Sequence, residues 1–582
     1  MRQRIQLRRC ESATAGSSGL RVCRRVAANR SSVPCRGRIN PLWLLLLSGA
    51  SLIIILTATL LQTDSTGESQ AATELTMYCA AGFRGPVEQI AQEYEAEFGV
   101  RVNLQFGGSN TLLSQIEVNQ HGSADIFLAA DETYVRQAVA KGLAAEILPI
   151  AYVRPVLAVS RGNPKHIRVL DDLLRPDITL TVPDPDQAAC GAAVRKALER
   201  LPAGTTNRWQ QLVDQVTRTG VFKPTVTDSA NDLKMGVVDA GILWDFLAMA
   251  PGYRDRMETV ALEEFDGEPG QVSVAILNSS RQATAALRFG RYLTARDRGL
   301  REFQKSGLRV VEGDEWAEQP TVTFFCGAVN RRAIEGLVEQ FSKREGVVVN
   351  TIYDGCGTLT GRMRGIDGQR IDLGFPDVYM ACDLYHLENV KDWFQEAATV
   401  SSAEIVIAVP RGSTKVQGLA DLLRPGIRVA IGQPEQCTIG ALTRRMLQDK
   451  GLYDQLKEKQ VQPGEVVVEK PSSALLVPDV TTGHVDAAIA YITDVLANRD
   501  RVDIVRVDSD LKRAVQPLSV SRTSAHKYLV RRLYRLVTSS PEAFRSVGFE
   551  FQYKATPGES VPESSGSQHP DAVEQNQAAG RD

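Results

Sequence analysis

Residues 75–98 read LTMYCAAGFRGPVEQIAQEYEAEF, and residues 322–345 read VTFFCGAVNRRAIEGLVEQFSKRE. Cys79 aligns with Cys326, Arg84 with Arg331 and Glu88 with Glu335. Val87, Ile90, Ala91 and Tyr94 align with Ile334, Leu337, Val338 and Phe341, the apolar stripe of an amphipathic helix after a short buried strand. The correspondence continues in chain order. FGGSNTL (106–112) pairs with YDGCGTL (353–359), ADIFLAAD (124–131) with PDVYMACD (376–383), and LAVSRGNP (157–164) with IAVPRGST (407–414). DLLRP recurs at 172–176 and 421–425, and GVVDAGILW (236–244) pairs with GHVDAAIAY (483–491). Colinear matches of this kind define a tandem duplication. Copy 1 spans 75–311 and copy 2 spans 321–553, joined through 312–320.

Within each copy, short apolar strands alternate with amphipathic helices, the pattern of an α/β fold with mostly parallel sheets. Each copy is longer than one sheet domain requires, so two lobes per copy are expected. The strands VLAVS (156–160) and IVIAVP (405–410) should carry the chain into the second lobe, with a return after 236–244 and 483–491.

The ends differ in character from the repeat. Residues 1–40 hold ten Arg and one acid, Glu11, and read as a disordered cytoplasmic segment. Residues 41–62 are uncharged and apolar, the length of a transmembrane signal anchor with its N-terminus inside; a cleaved signal peptide is the competing reading. Residues 556–582 are polar, rich in Pro, Ser, Gly and Gln, and read as a disordered tail. Either reading of the N-terminus places the two copies in the periplasm or outside the cell. The whole chain has 67 basic and 69 acidic side chains, so beyond residue 62 there remain 57 against 68, net about −11. Such a surface excludes a nucleic-acid partner, and any bound anion must be held by local groups.

In open α/β sheets ligands sit beyond the carboxyl ends of strands, where small residues let backbone N–H groups approach. Segments of this type in copy 1 supply Ala81 and Gly82, Gly108, Ser109 and Asn110, Cys190 and Gly191, and Trp244. Copy 2 supplies Ala328 and Val329, Gly355, Cys356 and Gly357, Thr438, and Tyr491. Any one such loop is explained by a tight turn; the set indicates a binding site.

A strand ending in small residues, a GGS-type loop, the ADIFLAAD segment and the later GVVDAGILW segment together resemble the molybdate/tungstate-binding proteins of ABC transporters. The resemblance covers 75–310 and 321–552. It implies two tandem type II periplasmic-binding domains, each closing two lobes on a tetrahedral oxyanion held by backbone N–H groups and a few hydroxyls. It also implies a small oxyanion as ligand, an ABC permease as partner, and no catalysis, cofactor or metal. The family's second-loop serine corresponds to Ser109 in copy 1 and to Cys356 in copy 2. The aromatic of the returning segment corresponds to Trp244 and Tyr491, and the first-loop serine is replaced by Gly82 and Val329. Arg84 and Arg331 are read either as solvated surface residues or as groups supplying charge to the anion.

Copy 2 concentrates thiols: Cys326, Cys356, Cys382 and Cys437, against Cys79 and Cys190 in copy 1. Inert packing, a disulfide and a soft-metal or reactive-thiol role all remain open. The alternative function is therefore a membrane-anchored sensor or metal-handling protein that uses these thiols. The six His are scattered and no hydrolase, zincin or phosphate-loop motif occurs. Asp131 and Asp383 are expected as helix N-caps, Asp239 and Asp486 as turn residues.

Overall fold

The computed structural model describes residues 74–119, 124–201, 207–267, 269–366 and 374–554. Segments 1–40, 41–62 and 556–582 lie outside the described residues, among which no helix is long and apolar enough to cross a membrane.

Copy 1 contains β1 (Glu74–Ala80), β2 (Arg101–Gly107), β3 (Ile126–Ala129), β4 (Ala144–Val153), β5 (Pro155–Ser160), β6 (Leu180–Pro183), β7 (Gly220–Lys223), β8 (Ala240–Trp244), β9 (Met257–Val260), β10 (Gly270–Leu277) and β11 (Arg309–Val310). They form two sheets, ordered β11-β4-β10-β3-β1-β2 in the first lobe and β7-β6-β8-β5-β9 in the second. The helix Arg84–Phe98 follows the expected stripe, burying Val87, Ile90, Ala91 and Tyr94. It ends at Gly99, whose φ of 68° closes the last turn without a Cβ penalty.

Both sheets are mixed, as expected, but parallel pairs do not predominate in them. In the first lobe β1 runs parallel to β2 and β3, whereas β10 is antiparallel to β3 and β4. In the second, β6 runs parallel to β7 and β8, whereas β5 is antiparallel to β8 and β9. The cause is topological. The βα units supply the parallel strands, and the strands carrying the chain between lobes add along their edge in the opposite direction. Entry into the second lobe is by β5, as expected, and the return is by β10 after β9.

Copy 2 repeats this plan with β12 (Thr321–Gly327), β13 (Val348–Asp354), β14 (Val378–Met380), β15 (Phe394–Pro410), β16 (Val429–Gly432), β17 (Val467–Lys470), β18 (Ala487–Tyr491), β19 (Val502–Arg506), β20 (Arg513–Ser521) and β21 (Glu550–Phe551). Here the crossing is one continuous strand. The first part of β15 pairs with β20 and its last part with β18 and β19, so one strand threads both lobes. In copy 1 the same path is interrupted at Arg154, whose N–H is accepted by Asp245 at 3.2 Å.

The two copies meet through their first lobes around a buried carboxylate. Glu345, at the end of the helix Arg331–Glu345, is 2% exposed and accepts from Arg532 Nε at 2.6 Å and Nη2 at 2.9 Å. Arg291 of copy 1 reaches the same residue, at 2.6 Å to its carbonyl and 3.2 Å to its carboxylate. Arg344 adds a two-pronged pair with Glu146 of β4, at 2.8 and 3.0 Å. From the connecting segment, Asp314 accepts from the N–H groups of Tyr528 and Leu529 at 2.8 and 2.9 Å, capping the helix Lys527–Thr538. Burial would raise the Glu345 carboxyl, but the two guanidinium groups outweigh it and hold it below the usual range. Burial pushes Arg291 down to about 10, which leaves it charged at neutral pH.

Breaking a buried ion pair by removing one partner costs about 3–5 kcal/mol, because the other charge stays desolvated. Glu345→Gln should therefore destabilise the first-lobe pair by about that amount in denaturant unfolding at pH 7. Because the folded carboxyl is depressed, its contribution is complete above the unfolded glutamate range and is lost as pH falls through the lowered value. The difference between wild type and variant should shrink on acidification; a difference that grows would contradict this assignment.

Candidate functional site

Between the lobes of copy 1 lies a cavity of about 270 Å³, including its opening, lined by Ala80, Ala81, Gly82, Gly107, Gly108, Ser109, Ala130, Ala188, Ala189, Cys190, Thr225, Val226 and Trp244. A broader depression beside Asn110, Ser114 and Asp186 opens widely to solvent and holds no comparable set of buried groups.

Helix starts surround the cavity. The short turn Ala81–Phe83 and the helices Ser109–Val118 and Ala189–Glu199 have no side-chain cap. Away from it, Asp131 caps Glu132–Ala140 through Thr133 N, and Asn207 caps Arg208–Thr219 through Trp209 N. The first N–H groups of a helix have no intrahelical acceptor, so these uncapped starts offer donors to a ligand, apart from Asn110 N, which is taken up by Gln187 O. Thr225 also faces the cavity, but its hydroxyl is engaged with Asp228, donating at 2.6 Å and accepting from its N–H at 3.1 Å.

Ser109 is 2% exposed, and its Oγ accepts from Ala130 N at 3.1 Å. That bond fixes the side chain and leaves its own O–H free to donate. The lobes are in contact beside it. Asn110 Nδ2 donates to Asp186 O at 2.7 Å and Asn110 N to Gln187 O at 3.2 Å. A Cβ on Gly108 would stand 2.3 Å from Gln187 O and 2.9 Å from Pro224 O, so this backbone contact needs glycine.

Copy 2 keeps the geometry and changes the chemistry. Cys356 Sγ takes the place of the serine oxygen, accepting from Cys382 N at 3.0 Å. A Cβ on Gly355 would meet Gln436 O and Pro471 O, both at 2.6 Å, and Thr358 N donates to Gln436 O at 3.3 Å. Ala189, Val226 and Trp244 of copy 1 become Thr438, Ser473 and Tyr491, all buried. Copy 2 is therefore richer in hydroxyls than its loss of the loop serine suggests.

Of the residues singled out from sequence, Ala81, Gly82, Gly108, Ser109, Cys190 and Trp244 line the copy 1 cavity. Asn110 instead bridges the lobes at its edge. Gly191 packs against the backbone, since a Cβ there would lie 2.1 Å from Pro183 O; Gly357 does the same against Glu435 O at 2.2 Å. The charge-supplying reading of Arg84 and Arg331 finds no geometric support. Arg84 pairs with Glu88 at 3.2 Å and lies over Phe106, and Arg331 pairs with Glu335 at 2.9 Å and lies over Tyr353. Both are more than half exposed, where water is the better solvent for a cation. The expected caps form: Asp383 accepts from Tyr385 N at 3.1 Å, and Asp239 binds Thr179 N and Oγ1 at 2.9 and 2.7 Å. Asp486 pairs with Arg428 and Lys415 at 3.0 Å each, which holds its carboxyl low against the opposing effect of burial. All six described cysteines are buried and unbridged. Ala188 and Ala189 belong to the loop 187–191 already singled out, whereas Ala130, Thr225 and Val226 were missed. The recurrence of Lys223-Pro224-Thr225 as Lys470-Pro471-Ser472 is the signal that could have found the last loop.

A family model described as bacterial extracellular solute-binding protein matches residues 75–309 and again 322–550. The molybdate-binding protein ModA of Mycobacterium tuberculosis is 29% identical over 246 residues, 42% of this chain and 87% of that protein. ModA of Escherichia coli is 27% identical over 254 residues, covering 41% and 92%. Among solved structures, the periplasmic molybdate-binding protein of Azotobacter vinelandii aligns with TM-score 0.34 at 17% identity, over 41% of this chain and all (100%) of that one. The sulfate-binding protein SubI of M. tuberculosis aligns with TM-score 0.35 at 18% identity, over 48% and 94%.

Gly108→Ala should prevent full closure of copy 1 while leaving both lobes folded. The expected result is a loss of at least about tenfold in ligand affinity, since each 1.4 kcal/mol is a factor of ten. Unchanged affinity in a calorimetric titration would mean that the lobes do not close through this contact.

Proposed function

The chain belongs to the bacterial extracellular solute-binding proteins, in tandem duplicate, and from that premise we propose that it captures a small oxyanion of the molybdate or tungstate kind for an ABC permease. The observation that carries this reading is the copy 1 cleft, where Ser109, the uncapped starts of two helices and the short turn Ala81–Phe83 converge on one small cavity. Among the described residues, none with a cationic side chain lines that space. A net-negative protein with no guanidinium at the cavity must hold an anion by local dipoles, and helix starts provide them. Each hydrogen bond to a charged group contributes about 1.5–3 kcal/mol, so a few converging donors suffice for micromolar binding. Duplication places two clefts on one chain, which raises capture capacity or allows two specificities. We further propose that residues 41–62 tether the chain to the cytoplasmic membrane, keeping both copies on the outer side beside the permease.

Titration of the full chain with molybdate, tungstate and sulfate tests the reading. At least one should bind at micromolar concentration or tighter, and Ser109→Ala should weaken the copy 1 site by about 10–100-fold. Absence of binding by all three would refute the oxyanion assignment.

A further inference from the structure

The copy 2 residues that correspond to the lining of the copy 1 cavity carry groups that copy 1 lacks. A Cβ placed on Gly327 would lie 2.3 Å from Cys382 Sγ and 2.7 Å from Cys356 Sγ, so both sulfurs crowd the same point. The Cys382 N–H to Cys356 Sγ bond at 3.0 Å fixes them side by side. Around them stand three hydroxyls with no hydrogen-bond partner, those of Thr438, Tyr491 and Tyr379, exposed by 2%, 1% and 0%. Copy 1 has Ala189, Trp244 and Phe127 at these positions, so the hydroxyls are particular to copy 2. A buried polar group without a partner costs about 1–3 kcal/mol. Several around one pair of thiols point to an absent polar occupant.

The occupant is constrained by what surrounds it. Among the described residues no three His, Cys, Asp or Glu are placed to hold a metal ion. Cys437 Sγ is already turned to Lys470 O at 3.5 Å. What remains is a site with two sulfurs and hydrogen-bonding hydroxyls.

We propose that copy 2 captures a trivalent arsenic or antimony hydroxide, joined to Cys356 and Cys382 through two bonds to sulfur. This rests on the solute-binding reading of the fold but not on the identity of the copy 1 ligand. In the reaction two bonds from the central atom to sulfur form and two of its bonds to oxygen break. Each thiol proton leaves with a released hydroxide as water, and no atom changes oxidation state. The third hydroxyl remains on the central atom, within the group of unpartnered hydroxyls. The adduct is neutral, so it enters a cleft without counter-charge at little cost.

The test uses the full chain, reduced with a phosphine and then exposed to sodium arsenite. Arsenic should remain bound after desalting, and X-ray absorption should count two sulfur neighbours. Cys356→Ser and Cys382→Ala place copy 1's own residues in copy 2, so both should fold, as thermal unfolding will verify. Each should retain arsenic about 100-fold or more weakly, because one thiol alone loses the advantage of two linked contacts. Cys437→Ser should retain it normally. Absence of uptake by the reduced chain, uptake independent of Cys356 and Cys382, or preferential retention of copper(I) or zinc would each overturn the proposal. Oxyanion titration of the same samples reports on copy 1 separately, so either reading can fail while the other stands.

Discussion

Contact between the lobes at one glycine per copy is the constraint on which the rest of the molecule depends. At Gly108 and Gly355 the backbone of the first lobe lies against carbonyl oxygens of the second with no room for a Cβ. Only at this distance do the uncapped starts of Ser109–Val118 and Ala189–Glu199 face one cavity. Opening by even a few ångströms would separate the donors and let water satisfy them individually. The backbone contact that joins the lobes therefore also gathers these donors around one cavity.

The second organising interaction is the burial of Glu345 between Arg291 and Arg532. With Asp314 capping the last long helix from the connecting segment, it joins the first lobes of both copies into one body. The second lobes take no part in these bonds. The path between the lobes is one continuous strand, β15, in copy 2 and is broken at Arg154 in copy 1. A buried ion pair gives modest net stability but strong geometric specificity, since misregistered packing leaves charges unpaired.

Much of this was legible in the sequence. The repeat fixed the duplication, the stripes placed the helices, and several of the small residues before them line the cavity found in copy 1. The loop serine and its counterpart Cys356 were identifiable because each follows a conspicuous glycine. The Thr225 and Ser472 loop was less visible, since nothing in Lys-Pro-Thr or Lys-Pro-Ser by itself specifies a ligand contact. The sheets' strand directions were also hidden, because hydrophobic periodicity does not encode whether a neighbouring strand runs parallel or antiparallel.

Sequence by itself determined the family, the two copies and the difference between them, Ser109 against Cys356, because these are statements about residue identity and order. Tertiary structure alone decided which groups are partnered. It turned Arg84 and Arg331 outward to Glu88 and Glu335, set Cys382 beside Cys356, and left the hydroxyls of Thr438 and Tyr491 unpaired. Hydrogen bonding and burial depend on chain segments far apart in sequence, brought together only when the lobes close.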